Sequence, residues 1–283
     1  MLAKPTKGVN VVLKRFEDIR FTCEYKYDGF RGQIHYYQGS SGPIVAIYSR
    51  NLEDMTVAYP DVVKFLKEYI ASLDTKVEDF ILDAELVAYD VANDKILPFQ
   101  LLTQRSRKNV TTADLETIVC LHAFDLLYLN GESLLKKNFI DRRTLLHDNF
   151  RAEKGKFHHA VYQDAESFEE IEAFLADSIK DCCEGLMVKT LNHNATYEPA
   201  KRSFNWLKLK KDYLDTEMGD SLDLVVVGAD HGVGKRTGYF GSFLLACYNE
   251  DLECLQTVCK VGTGFSDEAL EMIHGRLKDL VVD

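Results

Sequence analysis

The chain has 283 residues, a hydrophobic content of 46% and a formal net charge of −11. This length and composition allow a substantial buried core in one large domain or two smaller ones, and no apolar run approaches the roughly 18 residues that cross a bilayer. The first residues, Met1–Gly8, contain neither an apolar stretch nor a cleavage-like site, so we expect no secretory signal.

The seven cysteines are scattered, without a Cys-x-x-Cys pair, and Cys182 and Cys183 are adjacent. Adjacent cysteines suit neither a chelate nor an ordinary disulfide. We therefore expect reduced thiols in an intracellular protein, with zinc binding as the weaker alternative.

The acidic net charge is unusual for a protein that binds nucleic acid, whose surface is normally basic. Basic residues nevertheless gather in short groups, which permits local contacts with phosphates and predicts weak DNA affinity for this chain alone. The groups are Arg105–Lys108, Lys201–Arg202, Lys208–Lys211 and Lys235–Arg236.

Strand-like runs dominate the chain as far as Lys211. Two amphipathic helices lie between them, at Asp61–Leu73 and Ser167–Lys180, where apolar residues recur at helical spacing. Ser167 and Glu170 form a capping-box pattern at the start of the second helix. Strands mixed irregularly with helices predict an α+β domain of antiparallel sheets and helices, rather than a doubly wound one. The runs are Phe21–Lys26, Gln33–Tyr37, Ile44–Ser49, Phe80–Tyr89, Ile118–Leu129, Gly185–Thr190 and Asn205–Lys210.

The pattern changes after Lys211. An acidic, turn-like segment is followed by short strands with Gly-rich turns, at Leu222–Ala229, Ser242–Tyr248 and Leu255–Val261. Such strands are typical of a small β-barrel, but about three are present against the roughly five of an oligonucleotide-binding (OB) fold. We predict a first domain at residues 1–211 and the N-terminal part of a truncated OB-fold barrel at residues 212–283.

The segment Lys26–Arg31 contains a strand end, a tight Asp-Gly turn and the start of another strand. An ordinary hairpin turn with a solvated lysine is the common interpretation of an isolated Asp-Gly pair. However, Lys26 follows an apolar strand, and Arg31 returns a second cation beside it. Desolvation and a neighbouring cation favour the neutral form of a lysine, which is the form of an amine nucleophile.

Carboxylates lie on strands that are otherwise apolar. Alternation in Phe80–Ala88 places Asp83 and Glu85 on one face of a strand that is apolar on both faces, so these groups need partners or a metal. A structural ion pair with a nearby arginine is the alternative, stronger for Asp83 than for Glu85. In Glu184–Lys189, a carboxylate and a lysine bracket a short apolar strand, and Gly185 allows close backbone approach.

Alternation in Trp206–Lys210 sends Lys208 and Lys210 to one face, while the leucines between them pack into the core. Two adjacent ammonium groups repel each other unless an anion such as phosphate lies between them. The alternative is an edge strand with solvated lysines. Phe124 fits either a core aromatic or a stacking platform, and the local sequence does not separate the two.

Together these patterns combine a lysine nucleophile, carboxylates suited to a hard divalent cation, and several cations that could face phosphates. That combination predicts phosphoryl or nucleotidyl transfer through a lysine adduct, and it does not suit hydride transfer or acyl chemistry. The loop Gly232–Gly241 lacks the spacing of a P-loop, so a P-loop NTPase is excluded.

Several segments, in this order, resemble the eukaryotic replicative DNA ligases of the covalent nucleotidyltransferase family. The likeness covers nearly the whole chain. It implies the catalytic core of an ATP-dependent DNA ligase that acts in replication and repair. The segments are Lys26–Arg31, Ser49–Asn51, Ile81–Glu85, Phe124–Gly131, Glu184–Lys189 and Trp206–Lys210.

The resemblance implies a role for each matched residue. Lys26 takes AMP from ATP as a phosphoramidate, and Glu85 and Glu184 are tied to Mg²⁺. The nucleotide is held by Glu24 at the adenine amine, Arg31 and Arg50 at the ribose and phosphate, Phe124 stacked on adenine, and Lys189, Lys208 and Lys210 at the α-phosphate. The DNA backbone is contacted by Ser106, Arg107, Lys108, Lys235 and Arg236.

The same resemblance implies that the protein is a nuclear monomer and that its partner is nicked duplex DNA. It implies no membrane partner, and any contact with a sliding clamp would involve regions outside these residues. The family's DNA-encircling N-terminal domain and its last basic motif do not fall within them. Phe30 and Val233 depart from the family, which usually has Gln at the first position and often has Arg at the second. The alternatives are an mRNA capping guanylyltransferase or RNA ligase, and a non-catalytic binding module derived from a ligase.

Overall fold

Residues 1–6, 8–103, 118–210, 224–249 and 252–282 are described by a computed structural model of the chain. They belong to two units, Met1–Thr216 and Glu217–Asp283. In the first unit helices pack against two largely antiparallel sheets, and in the second a helix packs against a smaller antiparallel sheet. This arrangement confirms the predicted α+β class.

Strands and helices alternate irregularly along the chain. The strands of the first unit are β1 (Leu2–Thr6), β2 (Phe21–Lys26), β3 (Phe30–Gly39), β4 (Gly42–Ser49), β5 (Phe80–Asp90), β6 (Lys95–Ile96), β7 (Val119–Leu129), β8 (Glu132–Ser133), β9 (Phe157–His159), β10 (Tyr162–Gln163), β11 (Gly185–Thr190) and β12 (Arg202–Lys210). Its α-helices are α1 (Val9–Arg15), α2 (Pro60–Ala71), α3 (Phe99–Thr103), α4 (Phe139–Asn149) and α5 (Phe168–Lys180). The second unit contains β13 (Val225–His231), β14 (Phe240–Asn249), β15 (Cys254–Val261) and α6 (Asp267–Leu277).

The larger sheet has the order β4-β3-β5-β7-β8, with β6 paired to β5 and β9 paired to β7. β5 lies in its middle, as its apolar character on both faces predicted. Leu82 and Leu86 of this strand are fully buried, and they belong to the same core as Leu66 of α2. Since β3 and β7 satisfy the backbone of β5 on both sides, its polar side chains are held rigidly.

The smaller sheet has the order β1-β12-β11-β2-β10 and is covered on one face by α1 and α5. β12 is paired on both sides, with β1 in parallel and β11 in antiparallel orientation. The interpretation of this segment as a solvated edge strand is therefore wrong. Leu207 and Leu209 are buried beneath the helices, and Lys208 and Lys210 alternate with them, as predicted.

A small apolar cluster joins the two sheets. Met1, Leu127, Tyr197 and Trp206 are buried in it, and Phe124 packs against it. Leu127 belongs to the larger sheet and Trp206 to the smaller one. Residues of both sheets next to this cluster line one cavity.

The start of α5 has the predicted capping box. The Ser167 hydroxyl accepts a hydrogen bond from the Glu170 backbone N–H, and the Glu170 carboxylate accepts one from the Ser167 N–H, each over 3.2 Å. These contacts satisfy backbone donors that the first turn of a helix leaves unpaired.

Within the described residues, no helix combines the length and the apolar character that a membrane crossing requires.

The second unit contains the antiparallel sheet β13-β14-β15, with α6 packed on one face through Leu270 against Phe240 and Phe243. Within residues 224–249 and 252–282 this sheet is open rather than closed into a barrel, as the predicted strands implied. The cysteines of both units, seven in number, are all free.

Candidate active site

Lys26 is the last residue of β2, and the sheet register determines its neighbours. Gly185 of β11 lies opposite Lys26 on one side and opposite Lys210 of β12 on the other. The preceding Glu184 donates its backbone N–H to the Lys26 carbonyl over 2.8 Å. Its carboxylate lies between two ammonium groups, 2.6 Å from Lys26 Nζ and 2.5 Å from Lys210 Nζ. Burial alone would raise the pKa of Glu184, but hydrogen bonds from Lys210 and Lys26 outweigh it and lower the pKa.

Two glycines let the backbone around Lys26 approach its neighbours closely. A Cβ at Gly29 would lie 2.3 Å from the carbonyl oxygen of Leu86, so the turn after Lys26 rests directly on β5. A Cβ at Gly185 would lie 2.2 Å from the carbonyl oxygen of Leu209, and the Gly185 φ of +140° is one that L-residues rarely adopt. A larger residue at either position would push these strands apart.

Arg31, on β3, belongs to a buried network. Its Nη2 lies 2.6 Å from Asp83 Oδ2 and donates to the Tyr197 hydroxyl over 2.9 Å, while its Nη1 donates to the Met1 carbonyl over 2.8 Å. The guanidinium carbon is 5.5 Å from the centroid of the Phe124 ring. Asp83 therefore has the arginine partner that the ion-pair interpretation predicted.

Glu24 and Lys189 form a buried ion pair, 2.5 Å apart, with side-chain exposures of only 4% and 1%. Lys189 Nζ also donates to the Phe124 carbonyl over 3.2 Å. It lies 4.4–4.9 Å from the ring centroids of Phe124, Phe139 and Trp206. Burial raises the pKa of Glu24 and lowers that of Lys189, since each charge loses its hydration. The Lys189 ammonium thus lies among the residues predicted to bind adenine.

Glu85, on β5 opposite Arg31, makes no hydrogen bond or ion pair with any described residue. Burial raises its pKa to about 7, although Lys26 and Arg31 act in the opposite direction. A desolvated carboxylate without a partner suits a hard cation. No group of three or more His, Cys, Asp or Glu side chains among the described residues could hold a metal. A cation here would need Glu85, Glu184 and oxygen atoms of a bound phosphate.

These side chains line one cavity of about 270 Å³, to which both sheets of the first unit contribute. Every residue predicted to bind nucleotide or metal lines it, including the exposed Arg50 in the turn after β4. The chain separates these residues widely, so only the fold brings them together. They are Glu24, Lys26, Arg31, Arg50, Glu85, Phe124, Glu184, Lys189, Lys208 and Lys210.

Some residues of the site were missed by sequence reasoning. Trp206 lines the cavity, with its ring edge-on to Phe124 at 6.3 Å. As the single tryptophan, on the strand that carries Lys208 and Lys210, it could have been singled out. Tyr197 had no such signal, because it lies in an irregular segment between β11 and β12.

None of the residues predicted to contact DNA is among the described residues that line this cavity. Lys235 and Arg236 belong to the 3₁₀ turn Gly234–Arg236 between β13 and β14. Lys235 is exposed, and Arg236 Nη1 donates to the Gly262 carbonyl over 3.2 Å. The other predicted contacts, Ser106, Arg107 and Lys108, lie outside the described residues.

Sequence comparison identifies the family. Residues 1–210 match the ATP dependent DNA ligase domain, and residues 236–283 match the ATP dependent DNA ligase C terminal region. The chain therefore belongs to the ATP-dependent DNA ligase family. It is 51% identical over its whole length to DNA ligase 1 of Arabidopsis thaliana and 49% identical to DNA ligase 1 of Saccharomyces cerevisiae. It spans only 35% and 37% of the lengths of these two relatives.

Solved structures agree with this assignment. The ligase domain of M. tuberculosis LigD is 26% identical with a TM-score of 0.55, and the match covers 100% of this chain and 78% of that one. The same values apply to a mycobacterial DNA ligase D complexed with ATP and MES. A third structure, Pmar-Lig_PreS3, shares the fold at a TM-score of 0.63 and 20% identity, covering 99% of this chain and 60% of its own.

Proposed function

We propose that this chain is the catalytic core of an ATP-dependent DNA ligase in which Lys26 is the nucleophile. The observation that carries the proposal is the position of Lys26 at the end of β2, in the cavity and 2.6 Å from the Glu184 carboxylate. Membership of the ligase family supports it independently.

In the first step Lys26 Nζ attacks the α-phosphorus of ATP. A P–N bond forms, the P–O bond to pyrophosphate breaks, and pyrophosphate leaves. The attacking amine must be neutral, and the Glu184 carboxylate is an acceptor placed within hydrogen-bonding distance of its proton. Lys208 and Lys210 neutralise the charge that grows on the phosphate oxygens.

Glu24 and Lys189 form an acceptor–donor pair that suits adenine. The adenine N6 amino group donates to a carboxylate, and its N1 atom accepts from an ammonium group. Guanine presents the opposite polarity at these two positions, so ATP is preferred over GTP. We accordingly reassign Lys189 from the α-phosphate to the base, with Phe124 stacked on the ring.

Glu85 and Glu184 are the residues that would hold Mg²⁺. The unpartnered carboxylate of Glu85 fits this role, because a cation would supply the charge that its surroundings lack. When bound, Mg²⁺ neutralises phosphate charge and helps to align the α-phosphate for attack.

The later steps use nicked duplex DNA. AMP moves from Lys26 to the 5′-phosphate of the nick, and the neighbouring 3′-hydroxyl then displaces AMP to form the phosphodiester. Lys235, Arg236 and residues 106–108 contact the DNA backbone in this proposal. The protein acts as a monomer in nuclear replication and repair, with a sliding clamp as a further partner in this proposal.

The first step can be tested directly. The protein is incubated with Mg²⁺ and either ATP or GTP labelled at the α-phosphate, and the adduct is mapped by mass spectrometry. We expect AMP on Lys26, no adduct in Lys26→Ala, and an unchanged adduct in the control Lys67→Ala, which alters an exposed lysine of α2. A GMP adduct would instead favour a capping-type enzyme, and no adduct from either nucleotide would favour a non-catalytic module.

A further inference from the structure

Tyr197 lies outside the regular strands but is 6% exposed. Its hydroxyl donates to Asp83 Oδ2 over 2.8 Å and accepts from Arg31 Nη2 over 2.9 Å. Its backbone N–H donates to the Leu135 carbonyl over 2.9 Å, which anchors the segment that carries it. The hydroxyl thus uses both its donor and an acceptor position within the Arg31 network.

The ring of Tyr197 is also fixed. It stands edge-on to Trp206 of β12, with centroids 6.0 Å apart, and the Arg142 guanidinium lies 5.8 Å from it. Since Asp83 is on β5 and Arg31 on β3, Tyr197 connects the segment leading into the smaller sheet with two strands of the larger one. Tyr197 therefore contacts residues of both sheets.

Asp83 depends on this contact. Its side chain is completely buried, and its Oδ1 has no hydrogen-bond partner among the described residues. Among the described residues, Arg31 and Tyr197 donate hydrogen bonds to this carboxylate, and both bonds are made to Oδ2. Without the phenol, the guanidinium would be the remaining donor to a buried anion. We expect it to turn further towards Asp83 and away from the cavity, because charge-assisted hydrogen bonds are strong at low dielectric.

We infer that Tyr197 is a positioning residue for ATP binding: by sharing Asp83 with Arg31, its hydroxyl holds the guanidinium towards the ribose and phosphate of the nucleotide. This inference rests on the proposed function and on the role that the family resemblance implies for Arg31, at the ribose and phosphate of the nucleotide. It concerns the side-chain hydroxyl specifically, since the ring packing survives in phenylalanine.

The test compares Tyr197→Phe with Tyr69→Phe. Tyr69 is also buried, at 2% exposure, and its hydroxyl donates to the Arg151 carbonyl over 2.5 Å in the core beneath α2. Tyr197→Phe loses the hydrogen bonds of the hydroxyl with Asp83 and Arg31, and Tyr69→Phe loses the one with Arg151, so both variants should melt at a lower temperature. In Tyr197→Phe alone, the half-saturating ATP concentration for Lys26 adenylylation should rise about tenfold, with the limiting rate changed by less than about threefold.

A second arm tests the route through Arg31. In an Arg31→Lys background, Tyr197→Phe should raise the half-saturating ATP concentration less than about twofold, since the group it positions is gone. If Tyr197→Phe unfolds under assay conditions, the constants are measured at low temperature with trimethylamine N-oxide, which favours the folded state.

The possible failures are distinguishable. A normal adduct in the unaltered chain, with Tyr197→Phe behaving like Tyr69→Phe in ATP dependence, overturns the inference alone. Full additivity with Arg31→Lys also overturns it. If the unaltered chain forms no AMP adduct on Lys26, both the proposed function and the inference fail.

Discussion

The replacement Glu85→Gln should make the metal-free protein more stable at alkaline pH. Burial raises the Glu85 pKa from 4.5 to about 7. At a pH between these two values, Glu85 therefore keeps its proton in the folded state but has released it in the unfolded state. Above pH 7 the folded protein carries the full cost of a desolvated carboxylate. A glutamine carries no charge and avoids this cost.

The magnitude follows from the shift. At about 1.4 kcal/mol per pKa unit, a rise from 4.5 to about 7 corresponds to at most about 3–4 kcal/mol. Because the side chain is not wholly buried, solvent screening reduces this, and we expect about 1–3 kcal/mol. The free energy of unfolding of the unaltered chain, relative to the variant, should therefore rise as the pH falls from 8 to 4.5.

The assay is urea unfolding with EDTA across this pH range, with Glu172→Gln as a control because Glu172 is exposed on α5. Titrating groups that do not interact with Glu85 cancel in the difference, as does any constant cost of burying the amide. A difference between Glu85→Gln and the unaltered chain that is independent of pH would refute the reasoning. A variant that becomes relatively less stable at high pH would show instead that Glu85 has a structural ion-pair partner.

Three further replacements probe other contacts by urea unfolding. Gly29→Ala should lower the free energy of unfolding by at least about 2 kcal/mol, because its Cβ would lie 2.3 Å from a backbone oxygen. The control Gly8→Ala has open space around its Cβ and should change this free energy little. Equal effects of the two replacements would contradict the prediction. Glu24→Gln should lose about 3–5 kcal/mol, because the buried Lys189 charge loses its partner, and a neutral effect would show that this pair is not ionic. Ser167→Ala should lose about 1 kcal/mol through the capping box, and an unchanged midpoint would contradict the cap.

Local sequence was sufficient where a strand is apolar and sharply bounded. The predicted bounds of β2 and β11 agree with the structure, because each run is buried along its length and ends at a turn. The central position of β5 could also be predicted, since a strand apolar on both faces must be covered on both. Likewise, the capping box of α5 depends only on residues three positions apart.

Hydrophobic patterns in the sequence did not predict an element that places a polar residue in the core. α4 was not predicted, because a core position is taken by Arg142, which is fully buried and pairs with Asp125 through two hydrogen bonds of 2.7 and 2.9 Å. An arginine counts as a polar residue in a hydrophobic pattern, so its position does not indicate burial. Its burial is possible only because Asp125, on β7, supplies the opposite charge at that point.

For the site, the sequence by itself determined which chemical groups are available: a lysine before an Asp-Gly turn, carboxylates on apolar strands, and paired lysines on one strand face. Tertiary structure decided their partners. Glu184 lies between Lys26 and Lys210, and Lys189 is buried against Glu24. The physical reason is that strand register and burial are set by contacts between residues far apart in the chain, and the charge state and role of each group depend on those contacts.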